Sequence, residues 1–480
     1  MNITITIIVV AYMLVMLGIG YFSSTKIKSN TDFMVAGRRL GPLLMAGTLA
    51  ATEIGGGSSL GVVANAYGPW GVSASWYIIA MGIAFLILIP LAPKFRASEV
   101  KTVPEYFRRR YDKFSGGFSG IIMLMALVGL TAGQFKASAS VLEIMLGLDY
   151  TTSLIIVTVV ITVYAVMGGL WSVTLTDFVQ VFLIVIGMVI AIPFAIKLAG
   201  GWATVRATVP ESHLSFTQGI GGWGQIAGFV IMYVATFSVG QEAVSRYYAA
   251  RDGKAAVQGS IIAAIINFVF AFIPVILGIT MLSLFNQNLL DSTVVDALTN
   301  NSRYALPALA VATMPAVVTG ILFAGIISAT MSSADSDLLG AGSIFSNDIF
   351  KVFIHKGATD KQVMLTTKIA MVVVALFSLV TALYANNILT LLAFSFTLRA
   401  AGTFVPYVMG HFWKKSSSAG SIASILIGSV VFYFMDRKII PSIPKVNNII
   451  PALLISFVAF YVFSLLFPPK RETFDLVFEE

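Results

Sequence analysis

The stretch Gly325 to Asp348, GIISATMSSADSDLLGAGSIFSND, sets Ser332, Ser333, Asp335, Ser336 and Asp337 inside an otherwise apolar helical run. Hydrocarbon offers these oxygens no water, and ionisable residues at such depth mark a functional site by default. On an α-helix Ala329, Ser332, Asp335 and Ser336 stand at i, i+3, i+6 and i+7, with Ser333 beside them, so hydroxyls and a carboxylate converge on one face. Hard oxygens in this number suit a small hard cation and not a soft metal. Sodium is the expected occupant. Asp337 is expected to face the inner water layer or an arginine such as Arg246 or Arg251.

Around this stretch the chain has the composition of a membrane protein. Its 480 residues are 58% hydrophobic and 11% charged, with mean hydropathy +0.90, which excludes an ordinary soluble domain. Apolar runs long enough to cross a hydrocarbon core of about 30 Å recur from end to end. Read against their breaks they predict thirteen spans, at 3–23, 41–66, 71–93, 116–146, 151–168, 173–198, 222–246, 257–284, 307–347, 363–385, 388–412, 417–436 and 449–467. The expected fold class is therefore all-α, a polytopic membrane protein surrounded by lipid, with no separate globular domain. The first run, Ile3 to Phe22, reads as a helix and not as a cleaved signal peptide.

Charge sets the orientation. The net charge of +8 reports loop topology and not nucleic-acid binding. Alternate loops collect Lys26, Lys28, Arg38, Arg39, the basic run from Lys94 to Lys113, Arg246, Arg251, Lys254, Lys351, Lys356, Lys361, Lys414, Lys415, Lys470 and Arg471 on one side. The other side holds Lys197, Arg206, Arg303, Arg437, Lys438 and Lys445. Positive-inside then places the N-terminus outside and the C-terminus in the cytoplasm, as expected of an integral plasma (inner) membrane protein. Loop 94–114 is amphipathic enough for a helix lying on the inner membrane face, although a solvated basic loop is the plainer reading. The tail after Pro469 carries no motif.

Several chemistries are excluded. The chain has no cysteine, so disulfides, thiol catalysis and Cys-ligated zinc are ruled out. No GxxxxGK[ST] loop is present for direct ATP drive, no HExxH occurs, and His213, His355 and His411 fall in or near different loops. No catalytic pair emerges, so the chain reads as a non-enzyme.

Two spans are interrupted. Thr52-Glu53-Ile54-Gly55-Gly56-Gly57-Ser58-Ser59 lies at the centre of the second, and each glycine costs a helix about 1 kcal/mol relative to alanine. Thr236-Phe237-Ser238-Val239-Gly240-Gln241-Glu242 is a milder counterpart in span 222–246. Paired interrupted spans point to a transporter's midplane site and to inverted repeats. Asp177, in LWSVTLTDFVQ, lies at the depth of Ser332 and Asp335 on a span running the other way, where it either completes a cation site or serves as a first-turn acid. Glu53, Lys136 and Arg399 are also deep. Arg399 and Lys136 suit a solute carboxylate. Glu53 suits a solute ammonium or a structural ion pair with Arg399.

The segments VYAVMGGLWSVTLTDFVQ (163–180) and GIISATMSSADSDLLGAGSIFSNDIF (325–350), with VAGRRLGPLLMAGTLAAT earlier, resemble the sodium:solute symporter family over nearly the whole chain. The choline-carrier branch is similar around MSSADS and GGG. That resemblance implies an inverted five-plus-five helix core of the amino-acid-transporter type at 41–412, preceded by a helix and cytoplasmic loop at 1–40 and followed by two helices and a tail at 413–480. It also implies a principal sodium site from the carbonyls of Ala51, Ile54 and Ala329 and the hydroxyls of Ser332 and Ser333. A second site, found in some members, would use Asp177, Ser332, Asp335 and Ser336. Some members carry serine where this chain has Asp335, so one or two Na+ are implied. Solute would sit among spans two, four, seven and eleven, which brings in Glu53, Gln134, Lys136, Phe237, Gln241 and Arg399. Glu53 departs from the family pattern: proline carriers have aspartate there and choline carriers an aromatic residue, so a cage for quaternary ammonium is incomplete at this position.

The expected function is sodium-coupled symport of a small organic solute by alternating access. The first reading of the solute is a carboxylate or amino-acid-like zwitterion, held by Arg399 or Lys136. The second is an organic cation, a polyamine or choline-like compound, held by Glu53. A passive channel is the alternative from another class, distinguished by flux without sodium dependence.

Overall fold

The computed structural model describes residues 3–24, 30–444 and 446–469. Lys26, Lys28, Lys445, Lys470, Arg471 and the tail therefore lie outside the described residues. Among those described the fold is helical, with a single isolated bridge between Leu40 and Ala250. Among the described residues nine helices are long and apolar enough to cross a membrane, or ten if one bent pair counts as a single span. Several of the thirteen apolar runs are divided or shortened for local reasons. The second run divides into Pro42–Glu53 and Val62–Tyr67 around a π-turn at Gly57–Gly61, and the third yields a helix of only 12 residues, Trp76–Ile87. The predicted start of the ninth, 307, also falls in a separate short helix, Ala305–Thr313; Met314 is extended before Pro315, and the long helix begins at Ala316.

Interruptions occur where the glycines stand. Pro42–Glu53 stops at Ile54, whose ψ of 65° leaves the helical region. Trp223–Val239 and Gln241–Ala249 meet at Gly240 with a bend of 55°. Spans five and six are two helices, Tyr150–Met167 and Gly169–Leu198, that follow each other across a break at Gly169, where φ is 55° and ψ −170°. That left-handed φ favours glycine, and a Cβ there would stand 2.9 Å from the Phe33 carbonyl.

The two ends of the bundle are tied differently. At the basic end Leu40 bridges Ala249 and Arg251, Arg96 donates to Ala250 O at 2.7 Å, and Arg110 donates to the carbonyls of Gly410 and Trp413, both at 3.0 Å. Loop 94–114 does not lie on a surface as one amphipathic helix. It folds into Ala92–Ala97 and Val103–Arg110, and Val103, Tyr106, Phe107 and Arg110 are buried against the helices, because the loop's aromatic residues pack with Tyr407 and His411. Burial lowers the Lys101 ammonium from its usual value, and Glu105 partly offsets this. At the opposite end side chains reach loop carbonyls, Trp76 to Phe216 at 2.9 Å and Asn286 to Thr208 at 2.9 Å.

Candidate ion and solute site

The end of Pro42–Glu53 leaves carbonyls without intrahelical donors. Helix Ala316–Ile344 supplies them. Ser332 Oγ donates to Ala51 O at 3.0 Å, and Ser333 Oγ donates to Thr52 O at 2.8 Å and to Ala329 O at 3.2 Å. Ala51, Ala329, Ser332 and Ser333 are thus brought together, and Ile54 is the residue at which the helix ends. Next to it, a Cβ on Gly55 would collide with Ser333 Oγ and come within 2.8 Å of Gln134 Oε1. The glycine is required by close approach. All five residues are buried.

Asp177 is buried inside Gly169–Leu198, beyond that helix's first turn, so it is not a helix-capping acid. Its Oδ2 accepts from Thr48 Oγ1 at 2.5 Å and from Arg246 Nη2 at 3.2 Å. Arg246 also donates to Ser336 Oγ at 2.6 Å, and Ser336 donates to Ser332 O at 2.8 Å and to Asp335 Oδ1 at 3.4 Å. Asp177, Ser332, Asp335 and Ser336 therefore do assemble, but around a guanidinium. Asp177 Oδ1 and Asp335 Oδ2 are buried without a hydrogen-bond partner among the described residues. Unpaired buried carboxylate oxygens are costly, and carboxylate oxygens of this kind are donors that a hard cation accepts.

Glu53 and Arg399 do not pair by hydrogen bond. Arg399 is held by Glu242, with Nη1 donating to Oε2 at 2.7 Å and Nη2 to Oε1, while Nε donates to Thr236 Oγ1 at 2.7 Å. This fork is bidentate and buried. Glu53 Oε1 is buried without a hydrogen-bond partner among the described residues, with Glu242, Arg399 and Arg246 as its charged neighbours. Asp337 faces the same group and not the inner water layer.

The six solute candidates are not brought into one vestibule. Gln134 Oε1 accepts from Gly56 N at 2.7 Å and so braces the helix break. Phe237 is buried, stacked on Phe85 with centroids 5.0 Å apart and packed on Tyr233. Lys136 turns toward the opposite end, donating to Tyr150 OH at 3.2 Å with Arg303 and Glu143 nearby. Gln241 points to the basic end, where it accepts from Val103 N at 2.9 Å and donates to Lys101 O at 3.0 Å. Depth along a span was legible for both; the direction of the side chain was not.

Sequence reasoning missed Thr48, Glu242 and the pairing of Arg246 with Asp177. Thr48 is one turn from Ala51 and Thr52 on the same helix face, a spacing that could have drawn it in. Glu242 stands two residues beyond the Gly240 break, where a freed helix end collects polar groups.

A bundle of apolar helices, two of them broken at mid-span over buried carboxylates and hydroxyls, is the build of a secondary transporter. The chain belongs to the sodium:solute symporter family, whose family model matches residues 33–428. It is 24% identical to the osmoregulated proline transporter OpuE of Bacillus subtilis, covering 97% of this chain and 95% of that protein. It is 26% identical to the sodium/pantothenate symporter of Haemophilus influenzae, with 96% of each chain covered, and 24% identical to the human high affinity choline transporter 1, covering 98% and 87%. Its fold matches a solved substrate-bound outward-open Na+-coupled sialic acid symporter with a TM-score of 0.84 at 21% identity, covering 98% of this chain and 99% of that one. The chain is accordingly an integral membrane, sodium-coupled symporter of small organic solutes, with sodium as the coupling ion.

Proposed function

We propose that the solute carries a positively charged nitrogen, as an organic cation or as the amine of an amino-acid-like zwitterion, and that Glu53 receives it. The observation behind this reading is the charge of the buried centre. Among the described residues Glu53, Asp177, Glu242, Asp335 and Asp337 face two cations, Arg246 and Arg399. Three negative charges are left over when all are ionised, and a membrane interior sustains them only with bound cations. One Na+ belongs at Ala51, Ile54, Ala329, Ser332 and Ser333. A second belongs at the free oxygens of Asp177 and Asp335, beside Ser332 and Ser336. The remaining charge falls to Glu53. Recognition of a carboxylate through Arg399 or Lys136 loses its binding groups, since Arg399 is saturated by Glu242 and Lys136 faces Tyr150. Because the relatives are named for proline, pantothenate and choline, family likeness leaves the solute's charge to be read from the site.

The working arrangement is thirteen spans, with the five-plus-five inverted core at 41–412 between a leading segment, 1–40, and a trailing one, 413–480. The N-terminus lies outside and the basic end faces the cytoplasm. Transport proceeds by alternating access: sodium joins the broken helix to the serine helix, completes the solute site, and leaves inward with the solute. Each charge carried inward draws about 2.3 kcal/mol per 100 mV of membrane potential. The test is sodium-driven uptake into proteoliposomes by wild type and Glu53→Gln, after a thermal-shift screen of amines, zwitterions and carboxylates has supplied the solute. A sodium-dependent ammonium-bearing ligand whose binding is lost in Glu53→Gln is expected; a simple carboxylate that binds equally well to both proteins overturns the reading.

A further inference from the structure

On the outside of the bundle, Pro42–Glu53, Gly169–Leu198 and Gly253–Phe270 enclose a groove of about 480 Å³. Leu43, Gly47, Phe178, Phe182, Ile265 and Val269 line it, and none of its lining residues among those described is polar. Its floor is the joint behind the Asp177 oxygens. A Cβ on Gly47 would stand 2.7 Å from the Phe178 ring, and the neighbouring residues Thr48 and Asp177 are hydrogen-bonded to each other. The mouth of the groove, at the basic end, is charged. Leu40 bonds Ala249 and Arg251 there, which sets the start of Pro42–Glu53 beside the start of Gly253–Phe270. Arg39, Arg251 and Lys254 gather at this junction, all exposed. Of the nearby acids, Asp252 is paired with Arg251 and Glu99 with Arg38 and Arg96, which leaves Arg39 and Lys254 without an acid partner among the described residues.

We propose that this groove holds one acyl chain of an anionic phospholipid whose phosphate sits on Arg39 and Lys254. Lys254, Gln258, Ile262, Ile265 and Val269 fall at i, i+4, i+8, i+11 and i+15 of their helix, one continuous stripe. Ile265 stands about 16 Å beyond Lys254 along the axis, which is the depth of one leaflet in a hydrocarbon core about 30 Å thick. A headgroup held at Lys254 therefore lays its chain along the groove. Free phosphate would use the two cations and leave the apolar wall empty, and a neutral lipid would use the wall and leave the cations. An anionic lipid uses both, through attraction to each basic residue and burial of each methylene. Its chain holds Phe178 against Gly47 and so braces the helix that carries Ala51 and Ile54 against the helix that carries Asp177. The lipid thus steadies the ion site from outside the bundle.

Native mass spectrometry of the full-length protein released from detergent counts bound lipid, with dioleoyl phosphatidylglycerol, dioleoyl phosphatidylcholine and glycerol 3-phosphate as the probes. Wild type should hold one phosphatidylglycerol about tenfold or more tighter than phosphatidylcholine, and that lipid should raise its unfolding temperature. Arg39→Gln combined with Lys254→Gln should weaken phosphatidylglycerol by about thirtyfold and leave phosphatidylcholine unchanged. Ile265→Trp, which fills the groove, should weaken both lipids by about fivefold. All three positions are exposed, so the fold tolerates these changes. Equal retention of the two lipids by wild type, or a phosphatidylglycerol preference unchanged in the double variant, overturns the site. Glycerol 3-phosphate bound as tightly as the lipid removes the acyl chain from it and overturns it too. A dimer that Ile265→Trp dissociates, with lipid binding unaltered, assigns the groove to a second copy of the chain, again against the proposal.

Discussion

Arg399 and Glu242 meet in a buried bidentate ion pair at the point where Trp223–Val239 bends away from Gln241–Ala249. The pair joins the break in one helix to the middle of Ile388–Gly410, and Gly240 is held against it so closely that a Cβ would stand 2.5 Å from Arg399 Nη2. A deep arginine in a symporter invites a role in binding solute. Here its guanidinium is spent on the fold.

Removing one member should therefore act on stability before affinity. Arg399→Gln and Glu242→Gln each leave a buried charge unpaired, at a cost of about 3–5 kcal/mol. The double variant should recover much of that loss in a thermal-unfolding cycle of the purified protein. Additive losses in the double variant would remove the pair from this role.

Arg246 holds together the oxygens around Asp177. It bonds Thr48, Ser336 and Asp177 from one fork, a geometry that lysine does not reproduce. Arg246→Lys should lower the unfolding temperature and Arg246→Gln should lower it further, with sodium recovering part of the loss as it replaces the missing charge. Full stability of Arg246→Gln in the absence of sodium would contradict the arrangement.

Gln241 closes the basic end through its two bonds to Lys101 and Val103. Opening there must break both. In a chain without cysteine, a single reporter at Val100→Cys, a buried position, measures that opening by its labelling rate. Adding Gln241→Ala should raise the rate about tenfold, the equivalent of about 1.4 kcal/mol for two lost hydrogen bonds. Unchanged labelling would place the closing contacts elsewhere.

The parts that were legible in the sequence follow from spacing. The serine helix announced its own oxygen face, and the triple glycine announced the break that meets it, because period and backbone cost are local properties. Lys136 and Gln241 were misplaced for the complementary reason: depth along a span is readable, but the rotation that turns one side chain to Tyr150 and the other to Lys101 is set by packing between distant helices. Arg246 reads as a basic loop residue or a partner for Asp337, since nothing near it in the chain shows the carboxylate of Asp177, 69 positions away, that draws it inside. The three-glycine stretch also hides its reason in distant partners. Gly55, Gly56 and Gly57 sit against Ser333, Ala137 and Leu392, so the run is there as much for close approach as for breaking a helix.

We propose that sodium binds where Ser332 and Ser333 meet the carbonyls of Ala51, Ile54 and Ala329. The most direct test is the sodium dependence of initial uptake rate in proteoliposomes for Ser332→Ala and Ser333→Ala. Each loses a hydroxyl ligand and leaves a carbonyl without its donor, so each should raise the sodium concentration for half-maximal uptake by about tenfold or more, with the solute's own affinity at saturating sodium nearly unchanged. Wild-type sodium dependence in both variants, with uptake intact, would contradict the site.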